Sequence, residues 1–198
     1  MNVACVIGNG PSRKLLDLQD ISSCMTTYGC NAIYRDFIPH YLISMDNYMV
    51  KDIIGDNIHY NTKFYTQHSN QVDELYNDGH PINFFHGKIS NYDSGNAALY
   101  LAGKSHDIVY MIGFDYSVNG KMPNVYAGTK NYHKTNEYPA SDSTANKWKS
   151  RLLQTCKTHT HTKFVRVRCI FPEINLNVPN FIEISTEQFK EELYGIYS

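Results

Sequence analysis

The chain opens on a short apolar run, Val3 to Ile7, that stops at Gly8. A run this short, bounded by a turn signal, reads as a buried strand, because a helix needs a longer periodic stretch. From Ser12 to Leu18, the residues Leu15, Leu16 and Leu18 recur at spacings that one helical face can bury. The start is therefore strand, glycine turn, helix. Further strands are expected over Met25 to Cys30 and Tyr41 to Met45, followed by polar tips carrying Asn31 and the pair Asp46 and Asn47. Lys63 to Thr66 and Ile82 to Phe85 are briefer strand candidates. Ser94 to Leu101 has the Ala and Leu content of a helix, opened by Asp93 or Ser94. Ile108 to Ile112 is the clearest strand, since continuous apolar and β-branched positions suit a strand covered on both faces. It ends at another polar tip, Gly113-Phe114-Asp115-Tyr116.

Segment 117–144 is rich in Gly, Asn, Tyr, Ser and Pro without periodicity. It is too long for an ordinary connection and reads as a mobile loop or lid. Thr144 to Lys157 then fits a helix burying Trp148, Leu152 and Leu153, followed by a strand over Phe164 to Val167 and a closing helix near Thr186 to Tyr194. Strands alternating with helices predict an α/β chain: a three-layer Rossmann-like domain with a mostly parallel central sheet. At 198 residues the whole chain, 1–198, fits one such domain. Ligands of these sheets sit beyond the carboxyl ends of the strands, so the polar tips are expected to converge.

Composition narrows the function. A formal charge of -1 and no long run of Lys or Arg argue against a general nucleic-acid binder. No stretch approaches the roughly 18 apolar residues of a membrane span. The first residues read as a strand rather than a secretory signal, so a cytoplasmic location is the default expectation. Cys5, Cys24, Cys30, Cys156 and Cys169 are odd in number and lack CxxC spacing, which predicts free, mostly buried thiols. The 16 tyrosines supply rings that can cover a sugar or a base while their hydroxyls hydrogen-bond. A sheet protein of this size is also compatible with a symmetric homo-oligomer.

The Gly8-Asn9-Gly10-Pro11-Ser12 turn has a backbone free to tighten, and its amides, with the helix start behind them, could face a phosphate. Pro11 suits a first helical turn. The dinucleotide fingerprint fails because Arg13 stands where its third glycine belongs, and the phosphate-binding lysine motif is absent, so nicotinamide hydride transfer is not supported. By itself a Gly-x-Gly turn is as often a bare turn. Asp115 reads equally as a carboxylate beside a ligand or as a turn cap. His159 and His161 alternate and could share one strand face, but no third metal ligand accompanies them and a solvated connection is favoured. No metal site is expected.

Together these landmarks resemble the bacterial CMP-sialic-acid-dependent sialyltransferases: Gly8 to Ser12 after the first strand, Cys30-Asn31 after the second, Ser94-Gly95 opening an Ala-rich helix, and the tip Gly113 to Tyr116. They are partly shared with a wider Rossmann-like group that includes flagellin-modifying proteins and archaeal pterin pyrophosphokinases. The resemblance implies that Asn9, Asn31, Ser94 and Gly95 hold a nucleotide sugar beside the turn residues Gly8, Gly10 and Ser12. Asp46 or Asn47 would occupy the third strand tip, with Asp115 nearby. It further implies that the hydroxyls of Tyr116 and Tyr126 stabilise the departing phosphate and that His133 deprotonates the acceptor hydroxyl. Hydroxyls aimed at developing phosphate charge can replace a metal, and a near-neutral imidazole can take an alcohol proton.

No Asp-x-Asp pair occurs, which fits a metal-independent mechanism. The expected function is thus a glycosyltransferase-like protein that takes a CMP-type donor such as CMP-sialic acid. It would pass the sugar to a hydroxyl of a glycan or small-molecule acceptor, with no further cofactor. Two alternatives stay open: a Mg²⁺-dependent pyrophosphokinase-like enzyme, or a non-catalytic nucleotide-binding domain.

Overall fold

The computed structural model describes residues 1–116, 121–132, 138–139, 142–168 and 173–195. In chain order its elements are β1 (Val3–Ile7), α1 (Leu18–Cys24), β2 (Thr26–Cys30), β3 (Tyr41–Ile43), α2 (Asn47–Gly55), β4 (Lys63–Thr66), α3 (Asn70–Asn77), β5 (Ile82–Phe84) and α4 (Ser94–Gly103). Then come β6 (Ile108–Ile112), β7 (Lys121–Met122), β8 (Tyr138–Pro139), α5 (Asp142–Thr158), β9 (Lys163–Arg168), β10 (Phe181–Ser185) and α6 (Thr186–Gly195). Eight strands form one sheet in the order β10-β9-β6-β1-β2-β3-β4-β5, every neighbouring pair parallel. The expected α/β fold with a parallel central sheet is what the chain adopts. β7 and β8 pair antiparallel in a separate two-residue ladder inside the 117–144 segment.

Strand alternation sorts side chains to two cores. Cys5, Ile7, Tyr110, Ile112, Val165 and Val167 meet Ile21 of α1, Met49, Val50 and Ile53 of α2, Val72 of α3 and Phe189 of α6 on one face. On the other face, Ala4, Val6, Val109 and Met111 meet Ala97, Ala98 and Ala102 of α4 and Leu152 and Cys156 of α5. Each fully buried Val, Ile or Leu contributes about 1.5–3 kcal/mol, so both layers are needed to hold the sheet. α4 can lie close because its buried side is mostly small residues, Ser94, Ala97, Ala98, Ala102 and Gly103. The crossover through α4 carries the chain from β5 back to β6, on the side of β1 opposite β2. The strand order therefore reverses between β1 and β6, the position at which such sheets open a crevice.

Several elements differ from expectation. Pro11–Leu15 is a 3₁₀ turn, and α1 starts only at Leu18, where the Asp17 carboxylate accepts from the amides of Gln19 and Asp20. That cap restarts the helix, and Leu15 is left exposed. α2, α3 and β10 had no clear signal in the sequence; α3 buries only Val72. In α5, which begins at Asp142, Leu152 is buried while Trp148 and Leu153 are half-buried. Among the described cysteines, Cys5, Cys30 and Cys156 are buried, Cys24 is half-buried and none of the four forms a disulfide; Cys169 lies outside the described residues. No described helix is long and apolar enough to cross a membrane.

A buried ion pair braces the far side of the switch point. Arg166 on β9 stands opposite Glu183 on β10 and pairs with it, and its Nε donates to the Phe114 carbonyl at 2.9 Å. Glu183 also accepts from the Ile174 amide at 2.9 Å. A buried charge is tolerable only with such partners, and these tie the β6 tip to the sheet edge.

Candidate functional site

Two groups of residues meet at the carboxyl rim of the sheet, and they differ in what they leave unpaired. At the β1–β6 junction, the Gly8 amide donates to the Ile112 carbonyl at 2.8 Å and the Gly10 amide to the Gly113 carbonyl at 2.9 Å. A Cβ on Gly8 would stand 2.5 Å from the Gly113 oxygen, and one on Gly10 2.6 Å from the same atom. Gly113 itself has φ +68, in the left-handed region. The glycines thus let two loops interlock. The Ser12 amide donates to Asp115 Oδ2 at 2.8 Å, and the Ser12 hydroxyl donates to Asp115 Oδ1. Asp115 therefore caps the turn. Burial raises its pKa above the ordinary aspartate value, opposed by the two Ser12 hydrogen bonds and the Arg166 charge. The amides of Gly8, Gly10 and Ser12, expected to face an anion, are spent inside the protein.

The tips of β2 and β3 and the start of α4 make the second group. Asn31 follows β2 with φ +52, a conformation asparagine tolerates. Its Oδ1 accepts from the hydroxyls of Ser44 at 2.9 Å and Ser94 at 2.8 Å. The Ser94 Oγ in turn accepts from the Met45 amide at 3.0 Å, so its proton is directed to Asn31. This fixes the carboxamide: Oδ1 is saturated, and no described residue accepts from Nδ2. Asn9 donates through Nδ2 to the Cys30 carbonyl at 3.2 Å, while its buried Oδ1 has no partner among the described residues. Gln67, after β4, donates to the Met45 carbonyl at 2.8 Å.

Asn9, Asn31 and Ser94 are thus brought together, with Ser44 and Gln67 added. Those two were missed from sequence, although each is a polar residue within one position of a strand end. Gly95 lies beside them in the first turn of α4, where a Cβ would come within 3.3 Å of Asp93 Oδ1 and the Phe114 ring. Asp46 and Asn47 reach the third tip but serve local structure. Asp46 Oδ1 accepts from the Tyr48 amide at 3.0 Å, and Asn47 Oδ1 accepts from the Ser69 hydroxyl at 3.3 Å.

The tyrosines divide. Tyr126 is buried, accepts from Arg13 at 2.7 Å and donates to Asp36 at 2.7 Å, and Arg13 also pairs with Asp36 at 2.7 Å. Burial raises its pKa despite the Arg13 charge. Its hydroxyl makes no hydrogen bond to the Asn31 group. The link is Tyr132, whose ring lies 5.8 Å from that of Tyr126 and whose hydroxyl accepts from Asn9 Nδ2 at 3.4 Å. Burial pushes the Tyr132 pKa up to about 12. Sequence reading passed over Tyr132, one tyrosine among many.

Tyr116 has φ +31, packs in the α4–α5 core beneath the Arg166 guanidinium, 5.5 Å from its ring, and buries a hydroxyl with no partner among the described residues. Burial raises its pKa as well. His133 lies outside the described residues. His159 is buried against Tyr100, with the His161 ring 6.1 Å away, and no described cluster of three His, Cys, Asp or Glu side chains could hold a metal ion.

No protein-family profile and no curated protein sequence matches the chain, but solved structures do. Its fold resembles that of the sialyltransferase CstII from Campylobacter jejuni. CstII in complex with cytidine-5'-monophosphate aligns with a TM-score of 0.53 at 19% identity, covering 84% of this chain and 79% of that one. The CstII complex with CMP-3FNeuAc gives 0.48 at 16% identity, over 84% and 80% of the two chains. A complex with trisaccharide acceptor and CMP gives 0.46 at 17%, over 99% and 98%. At these identities the likeness to CstII is one of fold.

Proposed function

We propose that the chain is a glycosyltransferase-like enzyme that binds a CMP-type nucleotide sugar at the Asn31–Ser94 tip and passes the sugar to an acceptor hydroxyl without a metal ion. The observation that carries this reading is the orientation of Asn31. Two serine hydroxyls saturate its oxygen and leave a pair of N–H donors at the carboxyl rim, a position where the acceptor-rich phosphate and sugar oxygens of a nucleotide can be met. Asn9, tied to the Cys30 carbonyl next to Asn31, keeps a buried side-chain oxygen with no described partner. CstII, whose fold this chain resembles, was solved with CMP.

In this reading the leaving phosphate develops negative charge that hydroxyl donors stabilise. Tyr116 brings a hydroxyl proton with no described acceptor. Tyr126 must exchange Asp36 for the phosphate, with Arg13 still beside its oxygen. His133 would take the acceptor proton, and attack from the face opposite the phosphate would invert the sugar carbon.

The test is calorimetric titration with CMP, followed by assays of CMP release from CMP-sialic acid in the presence of EDTA. CMP binding and EDTA-resistant release of CMP with sugar transfer are expected. No binding of any cytidine nucleotide overturns the reading. Mg²⁺-dependent consumption of a nucleoside triphosphate would assign pyrophosphoryl transfer instead, and nucleotide binding without turnover a binding domain.

A further inference from the structure

The 125–132 segment crosses the rim as a strap, and the attachments of its second half are concentrated on two residues, Asp52 and Arg35. Asp52 on α2 has a side chain only 12% exposed, and it accepts from Lys130 Nζ at 2.7 Å and from Asn131 Nδ2 at 2.7 Å. Arg35 donates to Thr129 Oγ1 at 2.9 Å and to the Lys130 carbonyl at 3.1 Å, and lies 3.7 Å from the same Asp52 carboxylate. At its other end the strap is tied by the Val125 amide, which donates to the Asn9 carbonyl at 2.9 Å. Between these anchors it carries Tyr126, which meets Arg13 and Asp36, and directly after Asn131 it carries Tyr132, whose hydroxyl meets Asn9 Nδ2.

From this geometry we infer that Asp52 and Arg35 are positioning residues: an electrostatic latch that holds the strap down and so places Tyr132 at Asn9, beside the proposed nucleotide site. The inference rests on that site for its functional consequence and on the strap alone for its structural one. α2 is anchored independently by Met49, Val50, Ile53 and Ile54 in the core, so the carboxylate can be altered without removing apolar packing. Asp52 gathers two hydrogen-bond donors from the strap and the nearby charge of Arg35, and a neutral amide in its place keeps the shape but loses the charge that holds Lys130 and Arg35. A latch made of charge at a partly wet surface is also weakened by salt.

The test compares wild type, Asp52→Asn, Lys130→Ala and the charge exchange Asp52→Lys with Lys130→Asp by amide hydrogen exchange and by CMP titration. Asp52→Asn is expected to speed exchange of the Val125, Thr129 and Tyr132 amides, with the β1 and β6 amides unchanged. It should weaken CMP binding roughly tenfold, the scale of hydrogen bonds lost to a charged acceptor. Lys130→Ala should have a smaller effect, because Arg35 remains, and the charge exchange should restore part of the protection. Wild-type exchange in Asp52→Asn overturns the latch whether or not CMP binds. Wild-type protein that ignores CMP, with exchange still accelerated in the variant, overturns the nucleotide reading and leaves the latch standing. Accelerated exchange with unchanged CMP affinity overturns the functional link between strap and site.

Discussion

The β1–β6 junction and the Asn31–Ser94 tip lie on the same rim, yet one is closed and the other open. At the junction the amides of Gly8, Gly10 and Ser12 each have an internal acceptor, and the glycines serve to bring two backbones within contact distance. At the tip, hydroxyls and carboxamides are held by one another so that donors remain unspent. A glycine-rich turn after a first strand is commonly associated with anion binding, but here its glycines build the wall and the neighbouring asparagines supply the polar groups. Substitutions should therefore damage the two regions in different ways.

The largest effect is expected at the closed junction. Gly113→Ala adds a Cβ at positive φ that stands 2.7 Å from the Gly8 oxygen. A loss of at least about 3 kcal/mol, seen as a large fall in melting temperature or loss of soluble protein, follows from strain and overpacking together. Melting-temperature equality with wild type would show that the loops can separate cheaply. Next comes Asn31→Ala at the open tip, which should weaken CMP binding by about thirtyfold, or roughly 2 kcal/mol. Its stability cost is smaller, because Ser44 and Ser94 can turn toward water in the cleft. A variant that binds as tightly as wild type would remove Asn31 from the site.

Asp115→Asn is expected to cost about 1 kcal/mol of stability in chemical denaturation, since one Ser12 hydrogen bond loses its acceptor, while leaving CMP affinity within about twofold. A loss of binding as large as that of Asn31→Ala would make Asp115 a ligand group after all.

The smallest effect is on pH dependence. Burial lowers the pKa of His59, helped by His80, and burial lowers that of His159, helped by His161 and Lys104. The unfolded chain then binds protons that the folded chain refuses, so these residues contribute stability that is present above about pH 6.5 and lost as pH falls toward their folded values. Denaturation midpoints should drop over that window, and less so in His59→Gln. An unchanged profile in that variant would place the titration elsewhere.

Much of this fold could be read in the sequence because parallel strands covered on both faces are written as unbroken apolar runs: Val3 to Ile7 and Ile108 to Ile112 coincide with β1 and β6. α3 and β10 were not legible, since α3 buries a single valine and β10 is mostly half-buried. Asn9, Asn31 and Ser94 were legible as polar residues at strand ends and a helix start. What the turn amides do was not, because their acceptors lie at residues 112, 113 and 115, about a hundred positions away. Tyr126 was named from the sequence, but its bonds to Arg13 and Asp36 were hidden in the same way.

Nitrogen-15 NMR of the protein titrated with CMP separates the two regions most directly. The side-chain N–H pair of Asn31 should be among the most shifted signals, with the backbone amides of Gly8 and Gly10 little changed because their carbonyl partners are kept. The opposite pattern, with large shifts at Gly8 and Gly10 and a silent Asn31 side chain, would contradict the division between a structural wall and a binding tip.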